Sequence, residues 1–68
     1  MSAVVYIGEN LKRVRTRRLL TQAELAERAD VSAATVVNVE RNQQEPHFRT
    51  IRKLAKALNV DPTTLLGE

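Results

Sequence analysis

A chain of 68 residues has room for one domain that buries about 60% of its unfolded surface, and without cysteine it has neither disulfides nor a cysteine-ligated zinc site. Eleven Lys and Arg against eight Asp and Glu give a net charge of +3, and a pI near 10.0 favours a polyanionic partner. No apolar run approaches the roughly 20 residues that span a bilayer, and MSAVVYIGEN lacks the marks of a secretory leader, so a soluble cytoplasmic protein is expected.

Abundant Ala, Leu, Glu and Arg with only two Gly and two Pro predict an all-α fold. Residues 4–7, VVYI, are β-branched and aromatic and precede Gly8, so residues 1–7 are read as an N-terminal arm. Such an arm is either loosely ordered or paired with a second subunit. A first helix is expected over 8–18, with Leu11 and Val14 on one face and Ile7 and Arg18 at its edges. Lys12, Arg13 and Arg17 take the other sides, Arg17 within reach of a phosphate near the next helix start.

Thr21 and Glu24 have capping-box spacing, which starts a second helix that runs to Ala29 and pairs Glu24 with Arg28. Asp30 stands where a turn needs positive φ, Val31 points back to the core, and Ser32 caps a third helix over 32–41. Val36 and Val39 face inward there, leaving Ala33, Ala34, Val37, Asn38 and Arg41 on the opposite side. Two short helices about a tight turn over 21–41 have the spacing that lets a protein lay a helix in the DNA major groove.

Asn42 is a left-handed stop, 43–46 a polar loop, and Pro46 the sharp start of a fourth helix over 47–58. That helix is expected to bury Phe48, Ile51, Leu54, Ala55 and Leu58 and to expose Arg49, Arg52, Lys53 and Lys56. Asn59 ends it, and Asp61 with Pro62 opens a last short helix over 62–66. Short loops leave no unit for a second domain, so 1–68 reads as one.

The lone histidine, His47, is either a helix cap, a phosphate contact or a plain turn residue, and with no cysteine it makes no zinc constellation. No nucleophile motif, glycine-rich phosphate loop or carboxylate dyad is present, and Glu9, Glu24 and Glu27 read as surface helix residues. No catalysis, metal, cofactor or small-molecule ligand is therefore expected.

The order TQAELAERA, turn, SAATVVNVER, polar loop with Pro46, RTIRKLAKALNV and DPTTLL resembles the phage repressor-like helix-turn-helix family of Cro and cI type (XRE), over about residues 7–66. The resemblance implies a compact five-helix lambda-repressor-like DNA-binding domain, whose third helix reads bases while the second crosses the phosphate backbone. By position it implies that Gln22 holds a phosphate beside the positive end of the second helix. Ser32, Ala33, Ala34, Thr35, Val37 and Asn38 then approach the bases, and Arg41, Asn42 and Gln43 lie beside flanking phosphates. Asn38 is the candidate for a paired contact to adenine. Arg15 and Glu40 are implied to be a structural ion pair between the first helix and the end of the third.

The departures carry information too. Ala33 and Ala34 replace the long polar side chains of many relatives and offer only a methyl contact to thymine, so reading is expected to be sparse and helped by duplex deformability. Leu19, Asp30 and Asn42 stand where relatives favour glycine, and a left-handed Leu19 costs roughly 1–2 kcal/mol, so the first turn is expected to differ in shape.

The expected function is a transcriptional regulator, a repressor that binds double-stranded DNA as a homodimer, with Leu65, Leu66 and residues 4–6 as candidate dimer surfaces, the two leucines equally able to close the monomer core. The alternatives are an antitoxin of a toxin–antitoxin pair, a phage or mobile-element repressor, or a protein-interaction module that kept the fold without binding DNA.

Overall fold

The structure, a computed structural model, describes residues 7–43 and 46–67. Among the described residues there are five helices and no strand: α1 (Ile7–Arg17), α2 (Gln22–Ala29), α3 (Ala33–Glu40), α4 (Phe48–Leu58) and α5 (Pro62–Leu65). Helix α2 packs between α3 and α4, α4 meets α5, α5 meets α1, and α1 returns to α3, so the helices close a ring. Leu11, Leu25, Val36, Leu54, Leu58 and Leu65 fill its centre and are almost wholly removed from water.

Local chemistry sets the helix ends. The Thr21 hydroxyl accepts the Glu24 amide at 3.0 Å while the Glu24 carboxylate accepts the Thr21 amide at 2.9 Å, so both ends of the capping box are closed. Asp30 at φ 56 ends α2, and the next amide, of Val31, returns to the Ala26 carbonyl at 3.0 Å, which turns Val31 against the core. Asn59 repeats this geometry after α4 at φ 58, and the Asp61 carboxylate then accepts the Thr63 amide at 2.9 Å to start α5.

Several expectations are corrected. Ile7 is helical and 2% exposed rather than part of an arm, because α1 begins there and turns it into the core; the rest of the expected arm lies outside the described residues. Gln44 and Glu45 of the polar loop also lie outside them. Phe48 is 72% exposed, although it continues the stripe of Ile51, Leu54, Ala55 and Leu58 by one turn. Only Ile51 of that first turn reaches the core, at 5% exposed, and Pro46 is buried at this end of the helix.

Of the two roles open to the terminal leucines, core closure is the one Leu65 takes, fully buried, while Leu66 is half-buried against the same core. Leu19 takes the left-handed conformation after all, at φ 59, with its side chain in solvent. The turn therefore keeps the geometry that glycine would supply, held by the Leu20 amide on the Arg15 carbonyl at 3.2 Å.

Two close approaches have no local sequence signal. A Cβ on Gly8 would stand 2.7 Å from the carbonyl oxygens of Val39 and Glu40 and 2.6 Å from Asn42 Oδ1, so only glycine lets α1 abut the end of α3. Asn10 is buried and donates to the Leu65 carbonyl at 3.1 Å while accepting from Arg13 Nη2 at 2.9 Å, which latches α1 to α5.

Candidate nucleic-acid interface

Helix α3 is apolar on its inner side and small on its outer one. Val36 and Val39 point into the core, and that fixes which side remains in solvent. Ser32, Ala33 and Ala34 are exposed, and Thr35, Val37 and Asn38 are half-buried along the same rod. No charged side chain interrupts this strip from Ser32 to Asn38. Ser32 accepts the Thr35 amide at 3.1 Å and its hydroxyl lies 2.8 Å from that of Thr35, so both hydroxyls are engaged at the helix start.

At the other end, the Gln43 amide donates to the Asn38 carbonyl at 2.9 Å and the Asn42 amide to that of Val39 at 3.0 Å, with Asn42 at φ 57. Arg41, Asn42 and Gln43 are thereby carried as an exposed polar corner on the end of α3. His47 precedes α4 as its N-cap residue but makes no side-chain cap bond.

Glu40 gathers the neighbouring helices onto α3. Its Oε2 accepts Arg15 Nε at 2.6 Å and its Oε1 accepts Arg15 Nη2 at 3.0 Å, a two-point contact from α1. Arg15 Nη1 donates to the Leu20 carbonyl at 2.8 Å, which ties the α1–α2 turn to the same pair. The hydrogen bond to Glu40 and its charge raise the Arg15 pKa, while burial works against them. These side chains are only 12% and 5% exposed, so the pair is largely shielded from solvent screening.

Gln22, at the first position of α2, also donates to Glu40 Oε1, at 3.0 Å. The family resemblance implies a phosphate role for Gln22, and nothing in the sequence signals this bond, because 18 residues separate the partners and no periodicity links them. The Leu20 carbonyl and Gly8 were equally invisible as supports of α3. The structure thus brings Gln22, Arg15 and Glu40 into one hydrogen-bonded group, and 32–38 and 41–43 onto one continuous rod and corner. Among the described residues no group of three or more His, Cys, Asp or Glu is placed to hold a metal ion, and no helix is long and apolar enough to cross a membrane.

A capped helix, a left-handed turn and a second capped helix with an open outer side, set in a five-helix ring, define a helix-turn-helix protein of the lambda and 434 repressor type. The helix-turn-helix family HTH_3 matches residues 11–65, and the chain belongs to it.

The chain is 34% identical over 62 residues to the immunity repressor protein of Bacillus phage phi105, covering 91% of this chain and 43% of the repressor. The restriction-modification controller protein C.AhdI from Aeromonas hydrophila superposes with a TM-score of 0.88 at 35% identity, over 91% of this chain and 94% of that one. The P22 c2 repressor, crystallised with a synthetic operator, superposes with a TM-score of 0.81 at 30% identity, over 87% and 89%. The chain spans about half the length of most of the curated relatives it matches.

Proposed function

We propose that this protein is a sequence-specific, double-stranded-DNA-binding transcriptional regulator, a cytoplasmic repressor that acts by binding rather than by catalysis. The observation that carries this reading is the uncharged, small-residue strip of α3, fastened from behind by Val36, Val39 and Glu40 and open on its outer side. Such a rod enters a major groove about 12 Å wide without a bulky side chain to move aside. The P22 c2 repressor was crystallised with a synthetic operator in this same fold, which supports a DNA partner here.

Ala33, Ala34 and Val37 present methyl groups to thymine, Asn38 pairs its amide with adenine, and Ser32 and Thr35 border the bases. Gln22 binds a phosphate at the start of α2, and Arg41, Asn42 and Gln43 bind those beyond the end of α3. One short helix reads few bases, so two copies on a two-fold operator are needed. On such an operator the two recognition helices would enter half-sites about 34–36 Å apart.

Selection from random duplexes followed by footprinting tests this reading, and a protected two-fold site is the expected result. Affinity should fall steeply with salt, with a slope near −0.9 per phosphate neutralised. The apolar strip of α3 also suits a protein partner, and binding to a protein that barely responds to salt, with no duplex selected, would favour that second reading.

A further inference from the structure

Glu40 lies in the last turn of α3, yet its carboxylate serves donors from two other helices. Arg15 supplies two N–H groups, and the Gln22 carboxamide supplies a third at 3.0 Å. Closing the ion pair requires only the first two. The third fixes a side chain at the first turn of α2, where backbone N–H groups have no partner within the helix. Gln22 is half-buried, whereas Gln43 on the exposed corner is not.

We propose that Glu40 is a positioning residue for Gln22, an inference that rests on the DNA-binding reading above. A carboxamide nitrogen carries two N–H groups. Glu40 takes one, and the other is left to donate to a phosphate oxygen beside the α2 amides. Arg15 offsets the charge of Glu40, so a phosphate approaching Gln22 meets a neutral pair rather than a bare carboxylate. The amide is thus oriented before DNA arrives. Ordering one such side chain on binding costs roughly 2- to 12-fold in affinity, and the bond to Glu40 removes that loss.

A double-mutant cycle tests the inference. Its background is Arg15→Met with Glu40→Met, which removes the anchor without leaving a buried charge unpaired. Affinity is measured for one duplex recovered by selection, with helicity checked by circular dichroism. Gln22→Ala should weaken binding about tenfold in the wild type and less than about twofold in the double-methionine background, where Gln22 is no longer held. If Glu40 only braces α3, the two losses are equal, and that result overturns the inference.

Side-chain relaxation of the free protein gives a second readout that needs no DNA. The Gln22 carboxamide should show an order parameter near that of rigid backbone, about 0.85, and fall below about 0.6 in the background variant. A mobile Gln22 amide in the wild type also overturns it. A wild type that binds no duplex at all defeats the DNA-binding reading and this one together, whereas normal binding with additive losses defeats this one alone.

Discussion

Replacing Leu19 with asparagine should stabilise the protein by about 1 kcal/mol, because Leu19 carries a conformational cost and makes almost no contact that would be lost. Its φ is 59 and its side chain is 90% exposed, so the substitution changes backbone preference and little else. A left-handed L-residue costs roughly 1–2 kcal/mol, and asparagine recovers much of this by bonding locally. The fold already follows that rule at Asp30, Asn42 and Asn59, with φ of 56, 57 and 58.

For a domain of this size, 1 kcal/mol moves the midpoint of thermal unfolding by about 4–8 °C. Circular dichroism melts of Leu19→Asn, Leu19→Gly and Leu19→Ala separate the possible causes. Glycine should gain less than asparagine, since its freer unfolded chain costs about 0.5–1 kcal/mol. Alanine keeps a Cβ and should stay within about 0.5 kcal/mol of the wild type. An asparagine variant no more stable than the alanine variant would refute the reasoning, since both shed the exposed leucyl surface and only one relieves the backbone.

Glu40→Ala should cost about 3–5 kcal/mol in chemical denaturation by leaving Arg15 charged and poorly solvated, and DNA affinity should fall with it; lost binding at unchanged stability would argue against a bracing role. Gly8→Ala should destabilise by about 1–3 kcal/mol despite the better helix propensity of alanine, because the contacts at 2.7 Å are backbone oxygens that cannot swing away; a stabilised variant in urea titration would contradict this. Hydrogen bonds from the amides of Thr21 and Thr63, then from their hydroxyls, hold the Glu24 and Asp61 pKa values below their ordinary range. The unfolded chain then binds protons more tightly, so this stability is present above the ordinary carboxylate range and is lost as pH falls through the folded values. Melting temperature from about pH 5 to about pH 2 should fall less in a Glu24→Gln, Asp61→Asn double variant than in the wild type. Asn38→Ala should remove roughly 1–3 kcal/mol of preference at one adenine and leave the other positions of a selected site unchanged; an unaltered site would count against base contact by Asn38.

Local chemistry was legible in the sequence, and contacts across the ring were not. The Thr21–Glu24 box, the Ser32 cap and the Asp61–Pro62 start depend on neighbours two or three positions away, so composition and spacing reveal them. Val36 and Val39 likewise announce the inner side of α3 by their spacing, and with it the outer one. The proximity of Arg15 and Glu40, 25 residues apart, follows from family resemblance and from no local pattern. Asn10 and Leu65 are 55 residues apart, and their contact exists only once five helices have been arranged in space. Phe48 shows the converse limit: periodicity gives the direction of a side chain, and whether another helix arrives to cover it is a separate matter. At Leu19 residue preference argued for a different turn, yet the backbone takes φ 59 there, with Leu20 buried immediately after it.

The latch between Asn10 and Leu65 has a consequence for synthesis on the ribosome. Helix α1 is made first, yet the carbonyl that accepts from its buried amide and the leucine that completes the core belong to α5. Until residue 65 is available, the Asn10 amide lacks the carbonyl it donates to in the folded domain and the core lacks Leu65. The seal between α1 and α5 is thus available only after α5 has been made.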